Sequence, residues 1–264
     1  QAAERALERE RAAYLSQSAE AGGEVKMHRA LLREGTLSDK VAARTVLLQS
    51  APVQEGGHLE GLVALGRSKA RREATLAVEA LRDVLCEVLL PPDRPLRWFR
   101  EQVGRSGGKA ELLVLMAFED RLKRSMATAV QSLHALASDT LAWPRQVAVR
   151  TAASLLASRP EAELPLLQLL VGKLADQDRK VAASASQHLL RVLTHHPAMK
   201  LVVATHVRHF LLQPTTKQRA RQAALAFLAQ IPLERDWPAL ALVLLTTFIA
   251  ALDATLASAS ATTK

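Results

Sequence analysis

The chain is poor in the residues that build sheets and stapled cores. Only 3% of its 264 residues are aromatic, with one Tyr and five Phe, and isoleucine occurs twice, at Ile231 and Ile249. β-branched and aromatic side chains fill strands, so their scarcity excludes a β-rich domain. The single cysteine, Cys86, excludes an internal disulfide framework and a thiolate zinc site. Acidic groups are in deficit, 26 against 35 Lys and Arg, leaving a net charge of +9. The longest nearly apolar run, 239–252 between Pro238 and Asp253, is 14 residues. A bilayer needs about 20, so this run reads as a buried helix. The opening QAAERALERERAAYL is charged throughout and has no signal-peptide pattern.

What the chain has is Ala and Leu, which supply most of a 49% hydrophobic content and favour helix. Pro and Gly punctuate a sequence that is otherwise helical in period. The expected helices are 1–21, 25–32, 38–51, 57–65, 72–90, 110–137, 144–158, 162–174, 178–195, 198–212, 216–230 and 236–257. Gly22-Gly23 ends the first, Ser38 or Asp39 caps the third, and Pro91-Pro92 ends the 72–90 helix. That helix aligns Ala77, Leu81, Val84, Leu85 and Val88 on one face. PPDRPLRWFREQVGRSGGK, 91–109, carries three prolines and is an irregular loop. The chain opens on Gln1 rather than Met, which suggests a piece of a longer protein.

Four helices share a pattern: a polar, basic start, a small Ala-rich turn, a Leu-rich body and a closing Pro. They are SDKVAARTVLLQSAP, PRQVAVRTAASLLASRP, DRKVAASASQHLLRVLTHHP and TKQRARQAALAFLAQIP. Val147, Val181 and Arg219 are equivalent positions 34 and 38 residues apart, and Val41 lies 106 residues before Val147, close to three such steps. The long 110–137 helix does not fit this spacing cleanly. Two-helix units of this length, exemplified by ELPLLQLLVGKLADQDRKVAASASQHLL, imply an all-α fold. The expected architecture is a HEAT/armadillo-like α-solenoid, one array over 1–264.

No residue pattern nominates an enzyme or a cofactor. GRSGGKA, 104–110, has three residues between Gly104 and Gly108, not four, and Ala110 stands where the magnesium-binding Ser or Thr would be. His195, His196, His206 and His209 cluster in sequence but lack a carboxylate or cysteine to complete a metal set. Asp139, Asp176 and Asp178 sit at helix starts, where carboxylates cap. The reading is therefore no catalytic residue, no metal, no cofactor, no small-molecule substrate and no membrane.

The basic groups are more informative. They fall at 67–72, 94–109, 121–124, 179–180 and 217–221, several at helix openings. Equivalent openings in a solenoid line one ridge, which suits phosphates. Arg71, Arg72, Arg97, Arg100, Arg179, Lys180, Lys217, Arg219 and Arg221 are the expected RNA contacts. No aromatic residue alternates with them in sequence, which argues against stacking on a sheet platform.

GTLSDKVAARTVLLQSAP, LLPPDRPLRWF, FEDRLKR, RPEAELPLLQLLVGKLADQDRKVAASAS with HLLRVLTHHPAMKLVV, and FLAQ resemble, in order, the CCAAT-binding factor family. This is the nucleolar-complex group of the CCAAT/enhancer-binding protein zeta type, and the likeness runs from about residue 25 to 232. It implies a helical-repeat protein of the nucleus and nucleolus that serves assembly of the large ribosomal subunit and rRNA processing. Its implied partners are pre-ribosomal RNA, a second nucleolar-complex subunit and proteins of the pre-ribosomal particle. A role as a transcription cofactor at CCAAT promoters is the alternative from the same family, and a protein-binding HEAT scaffold is another. The chain departs from the family pattern at Ala175, Ala183-Ser184 and Gln222-Ala223, where the family has Gly, Ser-Lys and paired tyrosines. The family's more C-terminal signature domain is not present in these residues.

Overall fold

A computed structural model describes residues 2–18, 23–102 and 109–262, with side chains described as far as residue 256. The described residues are all-α and contain no strand. The glycine break at Gly22 and the GRSGG segment of the 91–109 loop lie outside them. Chain contacts divide the molecule into two compact units, Gln1–Leu166 and Leu167–Lys264.

The first unit holds α1 (Ala2–Ser18), α2 (Gly23–Glu34), α3 (Leu37–Ser50), α4 (Gly57–Gly66), α5 (Arg71–Val84), α6 (Phe99–Gln102), α7 (Ala110–Ala137) and α8 (Ala142–Ser158). Short turns make hairpins of α2 with α3, α4 with α5, and α7 with α8, and each pair packs together. The second members lie side by side, α3 on α5 and α5 on α8. On the other layer α7 packs on α4 and on α1. The 110–137 helix, awkward in the sequence spacing, is thus the first helix of an ordinary hairpin. It is long because it also carries α1, through Leu7, Ala3 and Ala117.

Side-chain bonds fix how α5 and α8 lie. At the openings, Arg71 donates from Nε to the Asp139 carboxylate at 3.0 and 2.9 Å and from Nη2 to Thr140 Oγ1 at 3.1 Å. Midway, Arg150 pairs with Glu79. At the far ends, Arg159 donates from Nε to Cys86 O at 2.7 Å. Start meets start and end meets end, so the two helices are parallel.

The last of these bonds explains a departure from expectation. The 72–90 segment does not finish as an α-helix: residues Leu85–Leu89 form a π turn, with Leu90 N–H donating to Leu85 O at 3.0 Å. The wider winding leaves Cys86 O without its helical donor, and Arg159 takes it. It also rotates Val88 off the apolar face, so Val88 is exposed while Leu89 and Leu90 are buried. Pro91 and Pro92 follow and cannot extend the helix.

Capping departs too. The third helix is capped by Thr36, two or three residues earlier than expected, in a reciprocal box: Asp39 N–H donates to Thr36 Oγ1 and Thr36 N–H to Asp39 Oδ2 at 2.9 Å. Asp178 caps the helix that follows it, accepting from Lys180 N–H at 2.8 Å and Val181 N–H at 3.2 Å. Asp139 and Asp176 instead close turns, each accepting the N–H two residues on.

The division between the units falls inside α9 (Glu163–Lys173), and the second unit continues through α10 (Arg179–His195), α11 (Lys200–Leu212), α12 (Gln218–Leu228) and α13 (Pro238–Thr262). In α10, Val181, Ala185, Leu189 and Val192 are buried at the spacing of one helix face. α11 packs against α12 and α13. The expectation that 239–252 is a buried helix is corrected. α13 runs for 25 residues and buries Leu240, Leu244 and Thr247. Leu242, Leu245, Ile249, Leu252 and Leu256 stay 57–68% exposed. By length and composition Pro238–Leu256 is apolar enough to cross a membrane, with 17% of its residues buried. A helix apolar on every face cannot bury all of itself on one neighbour.

Candidate nucleic-acid interface

The α10 opening presents Arg179 and Lys180, both exposed and just past the Asp178 cap. Lys217 is the exposed N-cap residue of α12, and Arg219 lies in that helix's first turn. Although 42 residues separate them, Arg219 Nη2 donates to Gln177 O at 3.2 Å. This bond sets the α12 opening beside the α10 opening, so Arg179, Lys180, Lys217 and Arg219 occupy one end of the second unit. Arg221 is different: it is half-buried, and its Nε is enclosed without a hydrogen-bond partner.

In the first unit Arg71 is committed to Asp139 and Thr140, while Arg72 beside it is exposed. The Asp139 carboxyl is held below its usual range by the Leu141 N–H and then by Arg71. Arg97 lies in the loop that precedes α6, and Arg100 lies on α6 itself. Arg97 is half-buried and its backbone N–H donates to Glu119 at 2.9 Å. Arg100 is exposed and lines a cavity of about 550 Å³ with Trp98, Phe99, Asp120 and Arg124. The nine basic candidates therefore do not form one set. Four converge at the α10 and α12 openings, Arg71 and Arg72 lie at the α5 opening, Arg97 lies in the loop and Arg100 on α6, and Arg221 is half-buried on α12.

Sequence reasoning missed the loop's construction. Pro91, Pro92 and Pro95 offer no N–H, and the four consecutive donors that follow each find a carboxylate. Leu96 N–H goes to Glu161 at 2.6 Å, Arg97 to Glu119 at 2.9 Å, Trp98 to Glu101 at 2.9 Å and Phe99 to Asp120 at 2.9 Å. Lys123 closes the set by donating to Leu96 O, with its ammonium 5.4 Å from the centre of the Trp98 ring. LLPPDRPLRWF and FEDRLKR, far apart in sequence, are the two sides of this junction. The Arg121–Lys123–Arg124 group is likewise engaged: Arg121 pairs with Glu8, Lys123 faces Glu161 at 3.9 Å, and Arg124 pairs with Asp120. Among the described residues no three His, Cys, Asp or Glu converge as a metal site.

The junction joins two of the stretches that carry the family resemblance, and known proteins match across them. The ribosome biogenesis protein NOC1 of Chaetomium thermophilum is 35% identical over 260 residues, covering 90% of this chain. The CCAAT/enhancer-binding protein zeta of Homo sapiens is 33% identical over 230 residues, 83% of the chain, and the nucleolar complex protein 1 of Drosophila melanogaster 32% over 213 residues, 76% of it. The chain belongs to the CCAAT-binding/Noc1 family. No family model matches it. It spans 25%, 22% and 18% of those three relatives, so it corresponds to about a quarter of a family member or less. Within the family frame, Ala183 and Gln222, two of the positions that depart from the family pattern, are exposed on α10 and α12.

Proposed function

We propose that this chain is a non-enzymatic helical-repeat scaffold of the HEAT/armadillo type, continuous over its length, that serves assembly of the large (60S) ribosomal subunit in the nucleolus. In this reading it binds pre-ribosomal RNA through its helix openings and meets nucleolar assembly proteins, a second nucleolar-complex subunit among them. Relatives named for ribosome biogenesis and for the nucleolar complex support the setting. Parallel packing of α5 on α8 supports the repeat. The observation that carries the RNA reading is the Arg219–Gln177 bond, which gathers four cations from two helix openings. Positive charge concentrated on one edge binds phosphates by releasing counterions, whatever the RNA sequence. The alternative from the same family, a cofactor at CCAAT promoters, would place the protein on promoter chromatin instead of pre-ribosomal particles, and fractionation separates the two.

Reversing Arg179, Lys180 and Lys217 to Glu tests the reading. All three are exposed, and Glu is favourable in a first helical turn, so the fold should persist. Affinity for a structured RNA should fall similarly across RNA sequences. The slope of log affinity against log salt should flatten by about two to three units, at roughly 0.7–0.9 per lost phosphate contact. Unchanged affinity and slope in a variant with wild-type circular dichroism would remove this edge from RNA binding.

A further inference from the structure

Three tryptophans punctuate the chain, and two of them face internal lysines: Trp98 lies 5.4 Å from the Lys123 ammonium and Trp237 lies 5.9 Å from that of Lys200. The third, Trp143, stands in the first turn of α8 and is 43% exposed, just after Leu141 at 45%. The turn that presents it is fixed from below. Arg145, 4% exposed, donates from Nη1 to Asp139 O and Thr140 O at 2.9 Å each.

The bonds of Arg71 to Asp139 and Thr140 hold the α4–α5 turn against this α7–α8 turn. The α4–α5 turn reads RSKARR, and Arg67, Lys69 and Arg72 are all exposed on it. The nearby acids offset them only in part: Asp139 is taken by Arg71, and Glu73, which accepts from Ser68 Oγ at 2.6 Å, keeps its charge, so Arg67, Lys69 and Arg72 face one remaining carboxylate. An exposed indole and three exposed cations therefore share one edge of the first unit. The aromatic that sequence spacing does not place among the cations is brought there by the fold.

This combination is what unpaired nucleic acid requires. Cations follow the backbone, and an aromatic face stacks on a base of any identity. In a duplex the base faces are already stacked, so a lone indole has nothing to receive. We propose that Trp143 is a stacking platform for an unpaired base of single-stranded RNA, with Arg67, Lys69 and Arg72 on the neighbouring phosphates. The proposal rests on the RNA-binding reading above and adds strand selectivity to it.

The test uses the full chain, a 12-nucleotide uridine oligomer and a 12-base-pair RNA duplex, at low salt. Trp143→Ala should weaken binding to the oligomer roughly 5- to 150-fold, the range for losing one stacked base, and leave duplex affinity unchanged. Trp143→Tyr should restore most of the loss. The salt slope for the oligomer should not move, because no phosphate contact is removed. If Trp143→Ala binds the oligomer as tightly as wild type, or loses oligomer and duplex alike, the stacking platform is overturned while RNA binding stands. If wild type binds neither RNA, both readings fall. If the variant keeps both RNAs but loses an assembly protein, the indole belongs to a protein interface and the proposal is overturned.

Discussion

Ala185→Arg is expected to remove about 3–5 kcal/mol from the stability of the unit that contains it, a large share of the roughly 5–15 kcal/mol that a domain holds. Ala185 is fully buried in α10, on the face it shares with Val181, Leu189 and Val192. A methyl group is all that this position accommodates. Arginine brings a long side chain into a filled interior and a charge with no partner there, and each effect alone costs on the order of 1–3 kcal/mol. Ala183→Arg, two residues away on the exposed side of the same helix, provides the comparison and should stay within about 0.5 kcal/mol of wild type. Chemical denaturation followed by helical circular dichroism reads both. Equal midpoints for the two variants would show that this face of α10 is not packed.

Glu119→Ala should cost about 2–3 kcal/mol by releasing the 90–98 loop from α7. Glu119 accepts from the Arg97 N–H, from Gln102 Nε2 at 3.2 Å and from the Arg94 guanidinium. Removing the acceptor leaves the Arg97 backbone donor without its partner and deprives Arg94 of its carboxylate, in a loop whose prolines supply no donors of their own. Burial would raise the Glu119 pKa, but the bonds from Arg94, Arg97 and Gln102 outweigh it and hold the carboxyl below its ordinary value of 4.5. A depressed carboxyl stabilises the fold above its unfolded value, and that contribution disappears as pH falls through the folded value. Wild type should therefore lose stability below about pH 4.5 more steeply than Glu119→Gln, which keeps an acceptor but does not titrate. Parallel stability–pH curves for the two would show that Glu119 carries no linked proton.

Most of the helices were legible because Ala, Leu and Pro are unambiguous. The 110–137 helix falls at Ala110–Ala137, and the 178–195 helix begins one residue late, at Arg179. The misses have local physical causes. Val88 was assigned to the buried face by a 3.6-residue period, and the π turn breaks that period three residues earlier. The Thr36 cap was missed because Ser38 and Asp39 are equally good caps by residue type, and only backbone geometry selects among them. At the candidate interface, position in sequence identified the basic openings but not which cations are committed to partners. Arg71 looks like Arg72 in the sequence, and its partner is 68 residues away. Trp143 was invisible as a nucleic-acid residue because the cations near it come from another hairpin.

The same long-range bonds set an order on folding. The α2–α3 hairpin closes across two residues, Gly35 and Thr36, and can zip as soon as both helices exist. Pairing α5 with α8 instead joins residues 68 to 73 apart, at Arg71–Asp139, Glu79–Arg150 and Cys86–Arg159. Closing a loop of that length costs entropy before any contact compensates, so the hairpins precede their parallel pairing. During synthesis, the α4–α5 hairpin leaves the ribosome long before α8 does. Until α8 arrives, the carbonyl of Cys86 and the guanidinium of Arg71 are solvated, and the first unit is a string of hairpins awaiting its third.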